Sequence, residues 1–233
     1  TFDALRVVNK SVENLTVDVT YVDQVNRIFG DDSPMGRWDS NSVLANVAYM
    51  VPVEGAKVTL GAYGYFLDFE DDAPAKSSQT LGVSAKAEKG PLAARARFAH
   101  QSDYGDQPMS YEANYWMLEG QYKKGPYGLT AGIETLGSEE GMASFQTPLA
   151  TLHKFNGFAD VFLLATPDDG LQDIYGTASY TRKAVGPVDL VKAWVTYHDF
   201  SADEGDMDYG SEVDAGLVMK KGAKKFLVKY ADY

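Results

Sequence analysis

Three groups of residues have the types and spacing to do chemistry. Arg95 and Arg97 stand two apart in Ala94-Arg95-Ala96-Arg97-Phe98, so an extended backbone puts both guanidinium groups on one face. Guanidinium forks bind carboxylates through paired, charge-assisted hydrogen bonds, which suits an anion moving along a surface. Arg6, Arg182 and Lys192 extend the basic set, with Asp18 as a counter-charge. The competing use of these residues is a network of ion pairs with Asp18, Glu112 or Asp173 that only stiffens a wall. The second group is His100 and Ser102, also two apart and on the face of Phe98. A serine beside a histidine base is the minimum for acyl transfer, and Asn114 is the nearest candidate to orient the ring. A lone His-x-Ser is a pattern of low specificity, so no catalytic residue is assigned and the chain is expected not to be an enzyme. The third group is the run Asp203, Glu204, Asp206 and Asp208. Spaced carboxylates suit a hard cation, but the glycine-turn spacing of a calcium loop is missing. Acidic loops are therefore read as solvated tips with divalent cations as candidate partners, and no metal site is assigned. Neither a glycine-rich phosphate loop nor a carboxylate dyad is present, and no cofactor is expected.

The segments that must position these residues read as strands. Candidates fall at 2–10, 14–28, 41–51, 57–69, 79–88, 92–102, 110–122, 127–136, 172–183, 188–200, 210–220 and 224–232. Their joints alternate. Short ones come at 11–13, 52–56, 89–91, 123–126, 185–187 and 221–223, long ones at 30–40, 70–78, 103–109, 137–171 and 201–209. Short turns on one rim and long loops on the other mark an up-and-down transmembrane β-barrel more than a soluble β-sandwich. Parity agrees. Leu15, Val17, Val19 and Tyr21 oppose Thr16, Asp18 and Thr20, while Val191, Ala193, Val195 and Tyr197 oppose Lys192, Trp194, Thr196 and His198. One set meets lipid and the other a polar lumen. Tyr21, Tyr115, Trp116, Tyr122, Tyr180, Tyr197 and Tyr230 are expected in interfacial girdles.

Composition narrows the classes. A chain of 233 residues suits one all-β domain, here 1–233. No apolar run approaches the ~18 residues of a spanning helix, a limit that leaves barrels untouched. With 15 Tyr, 11 Phe and 22 Gly at a mean hydropathy of −0.28, the chain fits a wall with one wet face. A net charge of −12 argues against nucleic acid as a partner. Cysteine is absent, which removes disulfides and thiolate chemistry. The first residues, TFDALRVV, read as a strand with no signal peptide, as expected of a mature or trimmed chain.

The connection at 137–171 is too long for a simple turn and carries Leu149, Leu152, Phe155, Phe158, Phe162, Leu163 and Leu164. Long apolar loops fold against something. This one is expected to fold into or across the barrel mouth as a constriction, with His153, Lys154 and Asp160 facing the pore. The other outcome is an external cap that packs its own side chains. Asn156-Gly157 marks a tight turn in either case.

TPLATLHKFNGFADVFL followed by ATPDDGLQDIYGTASY, within Thr147–Tyr180, resembles the alginate-export family of outer-membrane porins. YVDQVNRIFG (Tyr21–Gly30), FAHQSDYGDQP (Phe98–Pro108) and the opening TFDALRVV are similar to it as well. The resemblance implies a Gram-negative outer-membrane barrel, bedded in membrane lipid and lipopolysaccharide. It implies passage of anionic polysaccharide or small anions past pore-lining Arg and Lys. Barrels of that family have more strands than the dozen counted, so a fragment of a larger barrel is expected, with strands before Thr1 and after Tyr233. The competing function is a structural or surface barrel that binds cations or partner proteins, and, more remotely, a lipid hydrolase using His100 and Ser102.

Overall fold

The computed structural model describes residues 1–30, 32–33, 36–70, 73–150, 155–162 and 165–233. These residues are all-β apart from one 3-10 turn at Pro74–Lys76. The strands are β1 (Phe2–Asn9), β2 (Leu15–Asn26), β3 (Arg37–Val51), β4 (Lys57–Leu67), β5 (Ser78–Lys89), β6 (Leu92–Ser102) and β7 (Glu112–Lys124). They continue with β8 (Tyr127–Leu136), β9 (Ser138–Glu139), β10 (Ala143–Ser144), β11 (Leu171–Val185), β12 (Val188–Ser201), β13 (Asp208–Lys221) and β14 (Lys224–Asp232). Twelve of them form one sheet in chain order, β1 to β8 and then β11 to β14, while β9 and β10 pair only with each other. The twelve expected strands are all present. The sequence reading missed the start of β3, placed in a loop, and the small β9–β10 hairpin, whose two-residue strands are too short to show alternation.

The chain divides into two compact units, Thr1–Ala87 with Ala96–Trp116, and Glu88–Arg95 with Met117–Tyr233. In the first, β1 to β4 pair antiparallel in sequence order, with irregular register between Asp3 and Ala4 and between Val22 and Gln24. In the second, β8, β11, β12, β13 and β14 do the same, with one irregularity between Phe200 and Ser201. Bulges of this kind re-aim side chains near strand ends.

Both units sort their faces by chemistry. One face exposes Leu60, Leu81, Val83 and Phe98 in the first unit, and Leu118, Leu129, Ile174 and Val195 in the second, each about half accessible. An apolar surface so extensive must meet lipid or a partner. The opposite face carries Asp18, Asn46, Tyr63, Tyr65, Thr80, Gln101, Asp173, Thr196, His198 and Asp214. Its polar groups bond to one another: Tyr65 Oη donates to Asn46 Oδ1 at 2.8 Å, and Gln101 Nε2 donates to Thr80 Oγ1 at 2.9 Å. Tyr111, just before β7, donates to Gln101 Oε1 at 3.1 Å, and burial pushes its phenol up to about 12. Tyr115 belongs to this face too, buried beside Ala113 and Met117. That corrects its assignment to a girdle. Trp116, one residue on, points the other way and is exposed, as β alternation demands.

Glycines make room for flat aromatic rings on the polar face. Tyr175 lies across Gly132, its direct partner in the β8–β11 ladder, and Trp194 lies across Gly216, its partner in β13. A Cβ at Gly132 would stand 2.5 Å from Tyr175 Oη, and one at Gly216 2.5 Å from Trp194 Cε2. Tyr63 covers Gly82 in the same way, at 2.6 Å from Cε2. Covering a strand glycine with a cross-strand ring restores the packing that glycine lacks.

Candidate functional site

The long loop lies against the polar face of the second unit. Its two legs are stitched first. Thr166 Oγ1 donates to the Phe145 carbonyl at 2.7 Å, Ser144 Oγ to the Thr166 carbonyl at 3.2 Å, and Ser138 Oγ to the Asp168 carbonyl at 2.6 Å. Between the legs, Asn156 and Gly157 both adopt the left-handed backbone, with φ of 53° and 88°, as the Asn-Gly pair predicts. The turn aims two successive N–H groups at β13. Phe158 N donates to Glu212 Oε1 at 2.6 Å and to Asp214 Oδ2 at 3.1 Å, and Ala159 N donates to Glu212 Oε1 at 2.7 Å. Consecutive amides turned the same way form a nest for an anion, and here the anion is a wall carboxylate.

Four carboxylates gather under this turn. Glu134 and Asp173 are direct partners across the β8–β11 ladder, a like-charge pairing that is unfavourable by itself. Asn156 Nδ2 relieves it by donating to both, at 3.3 Å each. Asp173, Glu212 and Asp214 are almost wholly buried. His198 sits among them, with Nδ1 at 2.9 Å from Asp173 Oδ1 and Nε2 at 3.7 Å from Asp214 Oδ2. Buried carboxylates are tolerable only when hydrogen-bonded or paired. The loop amides and the imidazole supply those bonds. Glu212 Oε2 and Asp214 Oδ1 are buried with no hydrogen-bond partner among the described residues.

Apolar contacts complete the seat. The Phe158 ring meets Trp194 edge-on at 6.5 Å, and Lys229 Nζ stands 3.9 Å from its centroid. Phe162 packs on Phe200 at 5.1 Å and on Tyr209 at 5.8 Å. Among the described residues the loop is thus held on the strand wall, by its backbone N–H groups and by its Phe side chains together.

The residues singled out from sequence are placed unevenly. Arg6 holds Asp18 through Nε at 2.9 Å and Nη2 at 2.5 Å, so the stiffening use of Asp18 is realised. Arg95 lies 3.6 Å from Glu119, which also accepts from Tyr175 Oη at 2.9 Å. Arg97, two residues on, is on the same face of β6. Lys192 is on the polar face, its Nζ 5.3 Å from the Trp194 ring. Arg182 is not. It shares its face of β11 with Ile174, Ala178 and Tyr180, the apolar one, and is exposed near the Val185–Val188 turn. A long cationic side chain at a strand end reaches toward polar headgroups, which corrects its assignment to the pore. Replacing Arg182 with glutamine is expected to leave ion selectivity unchanged in a reversal-potential measurement. Of the constriction residues, His153 and Lys154 lie outside the described residues, and Asp160 is half-buried with φ 55°. The other carboxylates proposed for a wall network go elsewhere: Asp173 to His198, and Glu112 to the apolar face, 4.0 Å from His100.

On that apolar face His100 Nδ1 donates to Asn114 Oδ1 at 3.1 Å, and Gln79 Nε2 donates to Ser102 Oγ at 2.9 Å. Among the described residues no hydrogen bond joins Ser102 to His100, so the nucleophile–base contact that acyl transfer needs is not made. No group of three or more His, Asp or Glu able to hold a metal occurs among the described residues. Glu119, Glu134, Glu212 and the Tyr63–Tyr65 pair were missed as site residues. Their one sequence signal was parity within each strand, which assigns every residue to one face or the other.

No protein-family model matches the sequence, and no curated protein matches it. Among solved structures, the chain is similar to Pseudomonas aeruginosa OccK3 (OpdO), an outer-membrane porin, with a TM-score of 0.51 at 15% identity, over 99% of this chain and 67% of that one. A second crystal structure of Pseudomonas aeruginosa OpdO matches with a TM-score of 0.49 at 14% identity and the same coverage. At such identity the likeness is one of fold alone: an antiparallel, up-and-down β architecture similar to that of OccK3.

Proposed function

We propose that this chain forms the wall of an outer-membrane diffusion channel in a Gram-negative bacterium, and that the 137–171 connection narrows its lumen. The observation that carries the reading is the loop turn at 156–159, bonded to the polar face of strands whose other face is apolar and exposed. In this reading 1–233 is one barrel domain, and membrane lipid and lipopolysaccharide cover the apolar face. Acidic loop tips are where divalent cations would gather.

Within the same proposal the channel prefers anions, among them acidic oligosaccharides of the alginate type. Support comes from Arg97, a polar-face cation with no carboxylate partner among the described residues, and from Lys192, whose neighbour is an aromatic ring. Rings or ladders of Arg and Lys select anions. A specific observation favours the opposite sign: Glu134, Asp173, Glu212 and Asp214 cluster at the loop and would attract cations. Reversal potential of the full-length protein in a planar bilayer under a salt gradient separates the two. Anion selectivity that falls several-fold in Arg97→Gln supports the proposal, and cation selectivity in the unmodified protein overturns it.

A further inference from the structure

Four lysines flank the β13–β14 turn in Lys220-Lys221-Gly222-Ala223-Lys224-Lys225, whereas the chain between Trp194 and Lys220 holds no Lys or Arg at all. The strand register sets the four directly opposite one another in two like-charge pairs, Lys220 with Lys225 and Lys221 with Lys224. Like charges so placed are unfavourable by themselves. Parity parts the two pairs. Lys220 and Lys225 fall on the polar face with Asp214, where water screens them. Lys221 and Lys224 fall on the apolar face, one step outward from Met219 and Phe226, which are direct partners themselves. On that same face Tyr127 and Tyr180 pair across the β8–β11 ladder with their rings 5.4 Å apart, and Arg182 follows Tyr180 toward the rim. The acid beside this group, Asp189 at the start of β12, accepts from Gly222 N at 2.6 Å. Among the described residues no carboxylate lies within ion-pair distance of Arg182, Lys221 or Lys224.

We infer that Lys221 and Lys224, with Arg182 two strands away, bind the phosphate of an anionic glycerophospholipid in the leaflet at the short-turn rim. The site rests on the outer-membrane wall proposed above, whose short turns face the periplasm. Opposed residues on one face of an antiparallel pair have Cβ atoms about 4.5–5.5 Å apart, so both ammonium groups can reach one phosphate. That phosphate stands where a carboxylate is missing and relieves the Lys221–Lys224 repulsion. Arg182 lies about 10 Å across the sheet by strand spacing. Its stem can lie along the apolar wall while its head reaches the headgroup, and its planar fork suits phosphate oxygens. One step inward, Met219, Phe226 and the tyrosine pair offer acyl chains an apolar bed. A zwitterionic headgroup carries its own ammonium beside the phosphate and gains little from the lysines. A soluble phosphate ester meets the charges but not the bed. An anionic phospholipid uses both.

The test is native mass spectrometry of the full-length protein in detergent with equal amounts of phosphatidylglycerol and phosphatidylcholine. Phosphatidylglycerol adducts are expected to dominate about tenfold, and to fall to near parity in Lys221→Gln/Lys224→Gln. Lys220→Gln/Lys225→Gln removes the same charge from the opposite face and should keep the preference. Heat-dependent gel mobility checks that each variant still folds. Equal loss in both double variants overturns the site, because net charge alone then sets the preference. Displacement of the lipid by an equal concentration of glycerol 3-phosphate overturns it too, since the acyl chains then contribute nothing. A parent that inserts into phosphatidylcholine vesicles yet shows no headgroup preference strikes the lipid site and leaves the wall intact. A parent that fails to insert strikes the outer-membrane reading itself.

Discussion

Replacing Glu212 with alanine is expected to release the loop turn and raise single-channel conductance, with frequent switching between levels. Glu212 Oε1 accepts from both Phe158 N and Ala159 N. Hydrogen bonds to a charged acceptor each contribute roughly 1.5–3 kcal/mol, so about 3–6 kcal/mol of loop anchoring is at stake. Asp214 keeps one contact to Phe158 N, at 3.1 Å, and is too far along the bond to replace the two shorter ones. The wall itself should survive, because Glu212 contributes no ladder bond through its side chain. Limited proteolysis gives an independent reading: cleavage within 150–165 should accelerate in Glu212→Ala while the strands stay protected. Glu212→Gln is the sharper variant. It keeps an acceptor oxygen and the volume but removes the charge, so an intermediate effect is expected. Unchanged conductance and unchanged cleavage in Glu212→Ala would show that the Phe contacts alone hold the loop.

How much of this could be read from the sequence depends on where the partners lie. Strands were legible because each carries its own alternation and its own turn signals. β6 and β8 fall where the pattern puts them, at Leu92–Ser102 and Tyr127–Leu136. Arg182 was misplaced because Gly176, Thr177, Ala178 and Ser179 put small residues on both faces of β11, and the period-2 signal vanishes. The loop site was half legible. Apolar content and Asn156-Gly157 announced a folded turn, since both are local properties. Glu212 was invisible as a latch because its donors sit 53 and 54 positions away in the chain, and nothing near it in sequence demands a partner. The nest of carboxylates was hidden for the same reason: Glu134 and Asp173 become neighbours only through the β8–β11 register. The number of unpaired cations on the polar face was overestimated for the same reason. Arg6 and Arg95 were counted as cations, while the carboxylates that answer them lie on the next strand.

The largest effect expected from a change in the wall itself is that of Gly216→Val. The side chain would enter the volume of the Trp194 ring, with Cε2 at 2.5 Å from the new Cβ. The opposing atoms belong to a rigid indole rather than to a flexible tip, so Trp194 must swing off the wall. Overpacking of this kind costs about 1–3 kcal/mol. The displacement also travels. Phe158 rests edge-on against Trp194, and Lys192 stands over the same indole, so a ring that leaves Gly216 unseats the loop from its apolar side. Lower thermal stability should therefore come together with faster loop cleavage and higher conductance. Gly176→Val provides the contrast. Gly176 is in β11 on the apolar face, and a Cβ there meets nothing within 4 Å. With no collision and a better strand former in place, stability is expected to hold or rise, and conductance to stay as it is. If both valine variants behave alike, the aromatic cover over Gly216 is decoration and the loop is seated by Glu212 and Asp214 alone. If they diverge as argued, one flat ring couples the packing of a strand pair to the opening of the lumen.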